Sequence, residues 1–270
     1  MILKRSFFPI LENFPVKIAI SGKGGVGKTT LAALLAHYWA QQGREVIAVD
    51  ADPVATLASA LGIPADQVPT PISEMQELIE ERTESKKGYG TYFKLNPHVE
   101  DIPDTYCARL GRIRLLVLGG VTTGGSGCIC PESALLKALV THLLLGRRDI
   151  VILDMEAGIE HLGRATAEAV SLMIVVVDPG QRSLTAAQTI RRLCDDVGIP
   201  HVVAVVNKLP AGMSLAAIEK SLDGIPILGV IPYDETIMQA DIDNRTIFTN
   251  TPAQLALLAP LVAKIEAFEK

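Results

Sequence analysis

A glycine-rich run with two lysines, near the amino terminus, carries the clearest chemical signal in the sequence. Its residues are Gly22-Lys23-Gly24-Gly25-Val26-Gly27-Lys28-Thr29. They satisfy the spacing G-x-x-x-x-G-K-[ST], in which successive backbone N–H groups point into one concavity and a helix follows. The pattern predicts a loop that binds the phosphates of a nucleotide. The predicted contacts are Gly24, Gly25, Val26, Gly27, Lys28, Thr29 and Thr30.

Three side chains of this loop have a predicted chemical role. Lys28 is expected to reach the β- and γ-phosphate oxygens, and the Thr29 hydroxyl is expected to ligate Mg²⁺. Lys23 is a departure, because an ordinary phosphate loop needs no second lysine at this position. Its ammonium group would be poorly placed for the nucleotide bound by its own chain.

Two of the apolar runs end in aspartate residues. Asp50 and Asp52 close the run EVIAVDADP, and Asp154 ends IVILD. Asp154 has the Walker B pattern, in which a carboxylate after an apolar strand holds Mg²⁺ through water, and the next residues, up to Gly158, have the character of a switch that responds to the γ-phosphate. A lone aspartate at a strand end would be a helix cap or a turn residue. Two such ends beside a phosphate loop instead predict catalytic roles, here for Asp154 and for one of the earlier pair.

The pair Asn207-Lys208, at the end of the run VVAVVN, is a candidate for contact with the base. Proteins that read guanine carry N-K-x-D, whose aspartate accepts from the guanine edge, and here the fourth position is Pro210. The amide of Asn207 can still offer a donor and an acceptor to adenine. The sequence therefore favours ATP over GTP.

The motif Cys128-Ile129-Cys130 is a candidate metal site. It follows a glycine-rich stretch and precedes Pro131, which suits the first turn of a helix. Two thiolates can bind one Zn²⁺ or Ni²⁺, but they satisfy only half of a tetrahedral ion, so a two-fold dimer that supplies four cysteines would complete the site. The spacing alone leaves open two loop cysteines without a metal, because C-x-C is a weak motif.

The elements that must position these residues alternate along the chain. Short continuous Val/Ile/Leu runs fit strands that are buried on both faces of a parallel sheet, and segments with helical period lie between them. The predicted strands are Val16–Ile20, Glu45–Asp50, Arg114–Leu118, Ile150–Asp154, Leu172–Asp178, Val202–Asn207 and Ile225–Ile231. We predict an α/β fold with a single doubly wound, mostly parallel sheet of about seven strands flanked by helices, in one domain over residues 1–270.

Residues 64–112 interrupt this alternation. The segment has five prolines, a polar helix candidate at Ser73–Glu84 and a Gly-Tyr-Gly turn. We predict a surface insertion rather than a second domain.

Composition excludes several classes of protein. Apolar residues make up 49% and charged residues 20% of the 270 residues, which excludes a disordered chain, and a net charge of −5 with only 4% aromatic residues argues against nucleic-acid binding. The amphipathic segment Pro252–Lys270 lacks the basic face of a membrane-surface helix, so we expect it to pack against the sheet and expect no stable membrane association. Four cysteines are too few for a disulfide framework, which predicts a cytoplasmic protein with reduced thiols.

The loop GKGGVGKTT resembles the deviant Walker A loop of the MinD, ParA and nitrogenase iron protein group. In that group the lysine that corresponds to Lys23 crosses a dimer interface to the partner's nucleotide, so the resemblance implies a homodimer. It also implies that Asp52 orients the attacking water and that Pro232 and Asp234, in the run IPYD, contact the base.

A narrower resemblance adds a metal and a client. GKGGVGKTT, VDADP, GGSGCICPE, DMEAGIEHLGRAT and VVNK together look like the CooC-type accessory ATPases of carbon monoxide dehydrogenase maturation. The resemblance implies that Cys128 and Cys130 bind Ni²⁺ or Zn²⁺ at the dimer interface. It also implies that ATP hydrolysis is linked to nickel insertion into the active-site cluster of carbon monoxide dehydrogenase or its acetyl-CoA synthase partner.

Two other functions fit the same phosphate loop. One is a MinD- or ParA-like positioning or partition ATPase that acts on a membrane or on DNA. The other is an electron-transferring reductase of the iron protein kind, whose bridging cluster needs two separated cysteines per chain, one of them in the switch. Residues 154–158 contain no cysteine, which disfavours the reductase.

Overall fold

Eight strands form one sheet in the part of the chain that the computed structural model describes, which is residues 15–85, 92–119, 130–156, 167, 169–243, 245–249 and 251–269. The strands are β1 Lys17–Ser21, β2 Val46–Ala51, β3 Ala108–Leu110, β4 Ile113–Val117, β5 Ile150–Met155, β6 Leu172–Val177, β7 Val202–Leu209 and β8 Ile227–Pro232. Their order is β3-β4-β2-β5-β1-β6-β7-β8, and every pair is parallel except β3 with β4. The predicted α/β fold is confirmed.

Helices cover both faces of the sheet. They are α1 Lys28–Gln41, α2 Leu57–Leu61, α3 Gln76–Thr83, α4 Ile102–Thr105, α5 Pro131–Leu145, α6 Gln181–Val197, α7 Ala216–Leu222, α8 Glu235–Ile242 and α9 Pro252–Glu266. Buried side chains of α1, α2 and α9 form one core with one face of the strands, and those of α3, α5, α6 and α7 form a second core with the other face. In β1, Ile18 and Ile20 belong to the first core and Ala19 to the second, which explains why the strand is continuously apolar.

The directions of the connections between strands determine where a crevice opens along the sheet. From β1 the chain crosses to β2 on one side of the sheet centre, whereas from β5 it crosses over β1 to β6 on the other side. Where connections leave in opposite directions, a crevice opens at the carboxyl ends of the strands. The phosphate loop follows β1 at this point.

The segment 64–112 is packed into the sheet more closely than the predicted surface insertion would be. It adds β3 as an antiparallel edge strand and contributes several side chains to the second core, namely Ile72, Leu78, Ile79, Val99 and Ile102. The predicted helix is shorter than expected, because a 3-10 turn over Ile72–Glu74 precedes α3. Only three residues, half-exposed and partly polar, form β3, so apolar patterning could not reveal it.

Partly buried ion pairs tie this segment to the amino end of the sheet. Arg114 on β4 is 7% exposed and donates to the carboxylates of Asp104, in α4, and Asp149, just before β5. Arg147 donates to the same two carboxylates, at 2.8 and 2.9 Å. The opposite edge, where the phosphate loop lies, carries no part of this network.

The carboxyl-terminal helix α9 packs against the sheet as predicted. Leu258, Leu261, Val262 and Ile265 are buried in the core that they share with α1. Among the described helices, each is too short or too polar to span a lipid bilayer.

Candidate functional site

The phosphate loop between β1 and α1 needs glycine at its two ends for steric reasons. A Cβ atom on Gly22 would lie 2.4 Å from the carbonyl oxygen of Val176, and one on Gly27 would lie 2.2 Å from Nδ2 of Asn207. Both glycines also have positive φ, 150° and 99°. At these two glycines the backbone of the loop therefore lies directly against β6 and β7, with no side chain between them.

The amino end of α1 is open to an anion. Its N-cap is Gly27, and neither a side-chain cap nor an acidic residue occupies the first turn of this fully described helix. The first N–H groups of α1 therefore remain available, and they lie at the positive end of the helix dipole. Lys28, the first residue of the helix, is 8% exposed, and Thr29 and Thr30 are half-buried.

Two buried carboxylates lie side by side below the loop. Asp50 and Asp154 are register partners on the adjacent strands β2 and β5, and they are 0% and 1% exposed. Neither oxygen of Asp154 has a hydrogen-bond partner among the described residues. Burial raises the pKa of Asp154 to about 7, and the charge of Asp50 adds to this, while Thr29 and Lys28 lower it. A buried carboxylate without a partner, beside a phosphate loop, fits a site that a cation completes.

Asp50 has a different role, which sequence reasoning did not assign. Its Oδ1 accepts from the backbone N–H of Asp52 at 3.2 Å, and its Oδ2 accepts from that of Leu57 at 2.9 Å. Burial still raises its pKa, to about 6. Asp50 thus holds the turn that presents Asp52 and the start of α2.

Asp52 lies on this turn beside the loop. It is half-buried, and its Oδ1 accepts from the N–H of Val54 at 2.9 Å. Thr56, at the end of the turn, was not predicted as a site residue, but its hydroxyl lies 3.5 Å from the Thr29 hydroxyl. The turn therefore approaches the residue that is predicted to ligate Mg²⁺.

The predicted base-contacting residues share one cavity of about 150 Å³. Its lining consists of Thr30, Asn207, Lys208, Pro232, Tyr233, Asp234, Ile237 and Met238. The structure thus brings together two loops that lie far apart in the sequence, and it adds Tyr233, Ile237 and Met238 to the predicted set. Asp234 also caps α8, because its Oδ1 accepts from the N–H and the hydroxyl of Thr236 at 2.8 and 2.6 Å.

Asn207 is more engaged with protein than we expected. Its Nδ2 donates to the Val26 carbonyl oxygen at 2.8 Å, and its Oδ1 accepts from the N–H of Lys208 at 2.9 Å. Lys208 in turn donates from Nζ to the Gly25 carbonyl oxygen at 2.7 Å. One amide N–H and one lone pair of Oδ1 of Asn207 remain for the cavity.

Lys23 is exposed to solvent. Its side chain is exposed, as are Gly24 and Gly25, whereas Val26 and Lys28 are buried. The side chain of Lys23 is therefore accessible from outside the loop, whereas that of Lys28 is enclosed by it.

Cys130 is the N-cap of α5, at the same edge of the sheet. Its Sγ accepts from the N–H of Ser133 at 3.4 Å, and Pro131 takes the first helical position, as predicted. Cys128 and Gly158 lie outside the described residues. Within the described ranges, no three His, Cys, Asp or Glu side chains group as a metal site. The predicted four-cysteine site needs Cys128 and a second chain, so it stays a prediction.

Comparisons with known proteins agree on the family. The family described as the CobQ/CobB/MinD/ParA nucleotide binding domain matches residues 17–247. The carbon monoxide dehydrogenase accessory protein CooC of Rhodospirillum rubrum is 44% identical over 256 residues, which are 93% of this chain and 97% of that protein. An uncharacterized ATP-binding protein of Methanocaldococcus jannaschii is 44% identical over 241 residues, which are 88% of this chain and 93% of that protein.

Solved structures share the fold at lower identity. The MinD cell division protein of Aquifex aeolicus superposes with a TM-score of 0.66 at 20% identity and covers 92% of this chain and 96% of its own. A ParA family ATPase from Chlorobium tepidum gives 0.65 at 22% identity and covers 93% and 98%. The chain is an ATPase that belongs to the CobQ/CobB/MinD/ParA nucleotide-binding family and, within it, to the family of the carbon monoxide dehydrogenase accessory protein CooC.

Proposed function

We propose that this protein is a homodimeric, cytoplasmic metallochaperone that uses ATP to insert nickel into the active-site cluster of carbon monoxide dehydrogenase or of its acetyl-CoA synthase partner. The observation that carries the proposal is the 44% identity to CooC, a protein named as a carbon monoxide dehydrogenase accessory, across 97% of its length. The chain combines this with a nucleotide site and with a cysteine that begins a helix on the same edge of the sheet.

The nucleotide site would work as a positioning device. Lys28 and the first N–H groups of α1 would hold the phosphates, and Thr29 and Asp154 would hold Mg²⁺, the latter through water. The ion would neutralise the charge that develops on the phosphates during hydrolysis. It would also give the two carboxylate oxygens of Asp154 a partner, since neither has a hydrogen-bond partner among the described residues.

Hydrolysis would need a positioned water and a second chain. Asp52 is the carboxylate proposed to orient the water, since Asp50 holds its turn beside Thr29. Lys23 is proposed to act across a dimer interface, and the exposure of its side chain supports this. The site on each chain would be complete only when a partner supplies this lysine.

Nickel would be cargo, held by Cys128 and Cys130 from two chains. Cys130 is half-buried and supports the proposal through its place at the start of α5. The crossover from β4 through α5 to β5 puts that start at the carboxyl edge of the sheet, where the nucleotide site also lies. A dimer that closes over the nucleotide would therefore also bring the two cysteine pairs toward each other.

The positioning-ATPase alternative fits the fold but has less support. The apolar face of α9 is buried in the core beneath α1, so this helix has no apolar face left to insert into a membrane surface. The MinD and ParA structures share only 20% and 22% identity with this chain.

Alanine at the two loop lysines should separate binding from hydrolysis. Lys28→Ala should weaken ATP binding by about 100-fold or more, because the phosphates lose a buried charged donor. Lys23→Ala should leave ATP binding intact but remove hydrolysis and ATP-driven dimerisation. Equilibrium dialysis, turnover and size-exclusion chromatography measure the three properties. Unchanged hydrolysis in Lys23→Ala would refute a lysine that acts across the interface.

Asp52→Asn should bind ATP and Mg²⁺ normally but hydrolyse about 10²- to 10⁴-fold more slowly, because Asn keeps the shape and loses the charge that orients water. Turnover under saturating ATP is the measurement. Asp66→Asn, at an exposed position away from the loop, is the matched control and should match the unmodified protein. Full turnover in Asp52→Asn would make Asp52 a turn residue only.

Mg²⁺ binding should depend on pH through Asp154. The ion binds the deprotonated carboxylate, and the pKa of this group is about 7, so protons compete with Mg²⁺ below that pH. Mg²⁺ affinity should fall by up to about ten-fold per pH unit below pH 7 and level off above it. Titrations with Mg²⁺ at fixed ADP, from pH 5.5 to 8.5, measure this. Asp154→Asn should bind Mg²⁺ weakly, and its Mg²⁺ affinity should lack the part of the pH dependence that comes from Asp154. If Mg²⁺ affinity changes with pH identically in both proteins, Asp154 does not hold the ion.

The cysteine pair should bind one metal ion per dimer. Replacing Cys128 and Cys130 with Ser should remove that ion and weaken metal-dependent dimerisation but leave ATP binding by the monomer intact, because the phosphate loop is a separate element. Metal analysis and titration of the metal-free protein with Ni²⁺ and Zn²⁺, with ADP or an ATP analogue present, test this. Cys107→Ser, a half-buried cysteine outside the motif, is the control. Undiminished binding of one ion per dimer by the double variant would overturn the nickel proposal.

A further inference from the structure

Two residues at the carboxyl end of β7 donate hydrogen bonds to the backbone of the phosphate loop. Asn207 donates to the Val26 carbonyl oxygen at 2.8 Å, and Lys208 donates to the Gly25 carbonyl oxygen at 2.7 Å. We propose that Asn207 and Lys208 are positioning residues that set the shape of the phosphate loop, whichever base the nucleotide carries. The inference rests on the nucleotide-binding role of the site and is independent of nickel.

An irregularity in β7 turns both side chains toward the loop. Consecutive residues of a regular strand point to opposite faces, so two neighbours would not normally reach one loop. Here Val206 pairs with Val230 and Leu209 pairs with Pro232, so three steps along β7 match two along β8. The extra residue forms a bulge, and bulges beside functional sites commonly re-aim side chains.

The backbone of Lys208 shows that this arrangement is held against a local preference. Its φ is 55°, in the left-handed region that a lysine rarely adopts. The N–H of Lys208 donates to Oδ1 of Asn207 at 2.9 Å, which stabilises the turn. Unfavourable backbone conformations persist where the surrounding structure determines them, most often at functional sites.

Holding the carbonyl groups determines where the N–H groups point. The peptide group is planar and trans, so a C=O and the N–H of the next residue point in opposite directions. Asn207 fixes the carbonyl of Val26 and thereby directs the N–H of Gly27 away from β7. Lys208 does the same for the carbonyl of Gly25 and the N–H of Val26, which makes only a long contact, 3.4 Å, with the carbonyl oxygen of Lys23.

The absence of a side chain at Gly27 allows the amide of Asn207 to reach the loop backbone. A Cβ there would lie 2.2 Å from Nδ2 of Asn207, so only glycine permits the loop to approach the amide this closely. The same two residues line the cavity predicted for the base. A pure base-reading role would leave their bonds to the loop without consequence for phosphate binding, and this difference can be measured.

The test compares three ligands that share phosphates but differ in the base: ATP, GTP and inorganic tripolyphosphate. Lys208→Met keeps the alkyl chain and removes the donor, and Asn207→Asp keeps the acceptor for the Lys208 N–H and loses the donor to Val26. Each variant should lose about three- to ten-fold in affinity for all three ligands, by the same factor. Competition against a fluorescent ATP analogue measures the affinities, and thermal unfolding checks that each variant is folded.

Two matched variants control for side-chain chemistry. Lys208→Arg keeps a charged donor and should retain affinity within about two-fold. Lys264 also donates to a backbone carbonyl, that of Leu228 at 2.7 Å, but on β8 and α9, so Lys264→Met should change none of the three affinities.

Two results would overturn the proposal. If Lys208→Met and Asn207→Asp lower the affinity for ATP, or change the ratio of ATP to GTP affinity, but leave tripolyphosphate binding unchanged, both residues read the base. If all affinities stay unchanged, the two bonds do not position the loop. An unmodified protein that binds no ATP would instead refute the nucleotide site itself, so the two failures are distinguishable.

Discussion

A phosphate loop binds its ligand with backbone N–H groups, and in this protein that requirement governs the packing around the centre of the sheet. The loop must be free of side chains where it meets its neighbours, and it lies against the carbonyl of Val176 on β6 and the amide of Asn207 on β7. A side chain at Gly22 or Gly27 would separate the loop from these strands. Because β1 lies between β5 and β6, the same position also brings the loop next to the end of β5, where Asp154 stands. The central place of β1 thus sets the surroundings of every phosphate-binding group.

The two buried carboxylates are subject to a second constraint. Like charges in a low-dielectric environment repel one another, so each disfavours the ionised form of the other. Asp50 and Asp154 are paired across β2 and β5, and the pKa of each is raised by burial, to about 6 and about 7. They resolve the conflict differently. Asp50 accepts two backbone N–H groups and holds the turn of Asp52, whereas Asp154 has no hydrogen-bond partner among the described residues and suits a cation. Two chemically identical groups therefore differ in their partners, since one is held by backbone N–H groups and the other is left available to a cation.

The loop is suited to two different interactions. The carbonyls of Val26 and Gly25 are held by Asn207 and Lys208, while the side chain of Lys23 is exposed, where a second chain can approach. Cys130 is the N-cap of α5, at the same edge of the sheet. In the proposed dimer, the nucleotide and the metal would both lie between the two chains. Either ligand would then stabilise the same interface, and linkage requires that each changes the affinity of the other.

The sequence alone determined the features that depend on neighbours along the chain. The apolar runs identified seven of the eight strands, and the spacing from Gly22 to Thr29 identified the phosphate loop, because strand period and loop chemistry are local properties. It could not identify β3, which is short and half-polar, nor the contribution of residues 64–112 to the core. Asp50 as the anchor of a turn, and the bond from Asn207 to Val26 across 181 residues of sequence, were also hidden. Such contacts depend on strand order, on a bulge in β7 and on the close approach that glycine permits, and these are decided only when distant segments pack together.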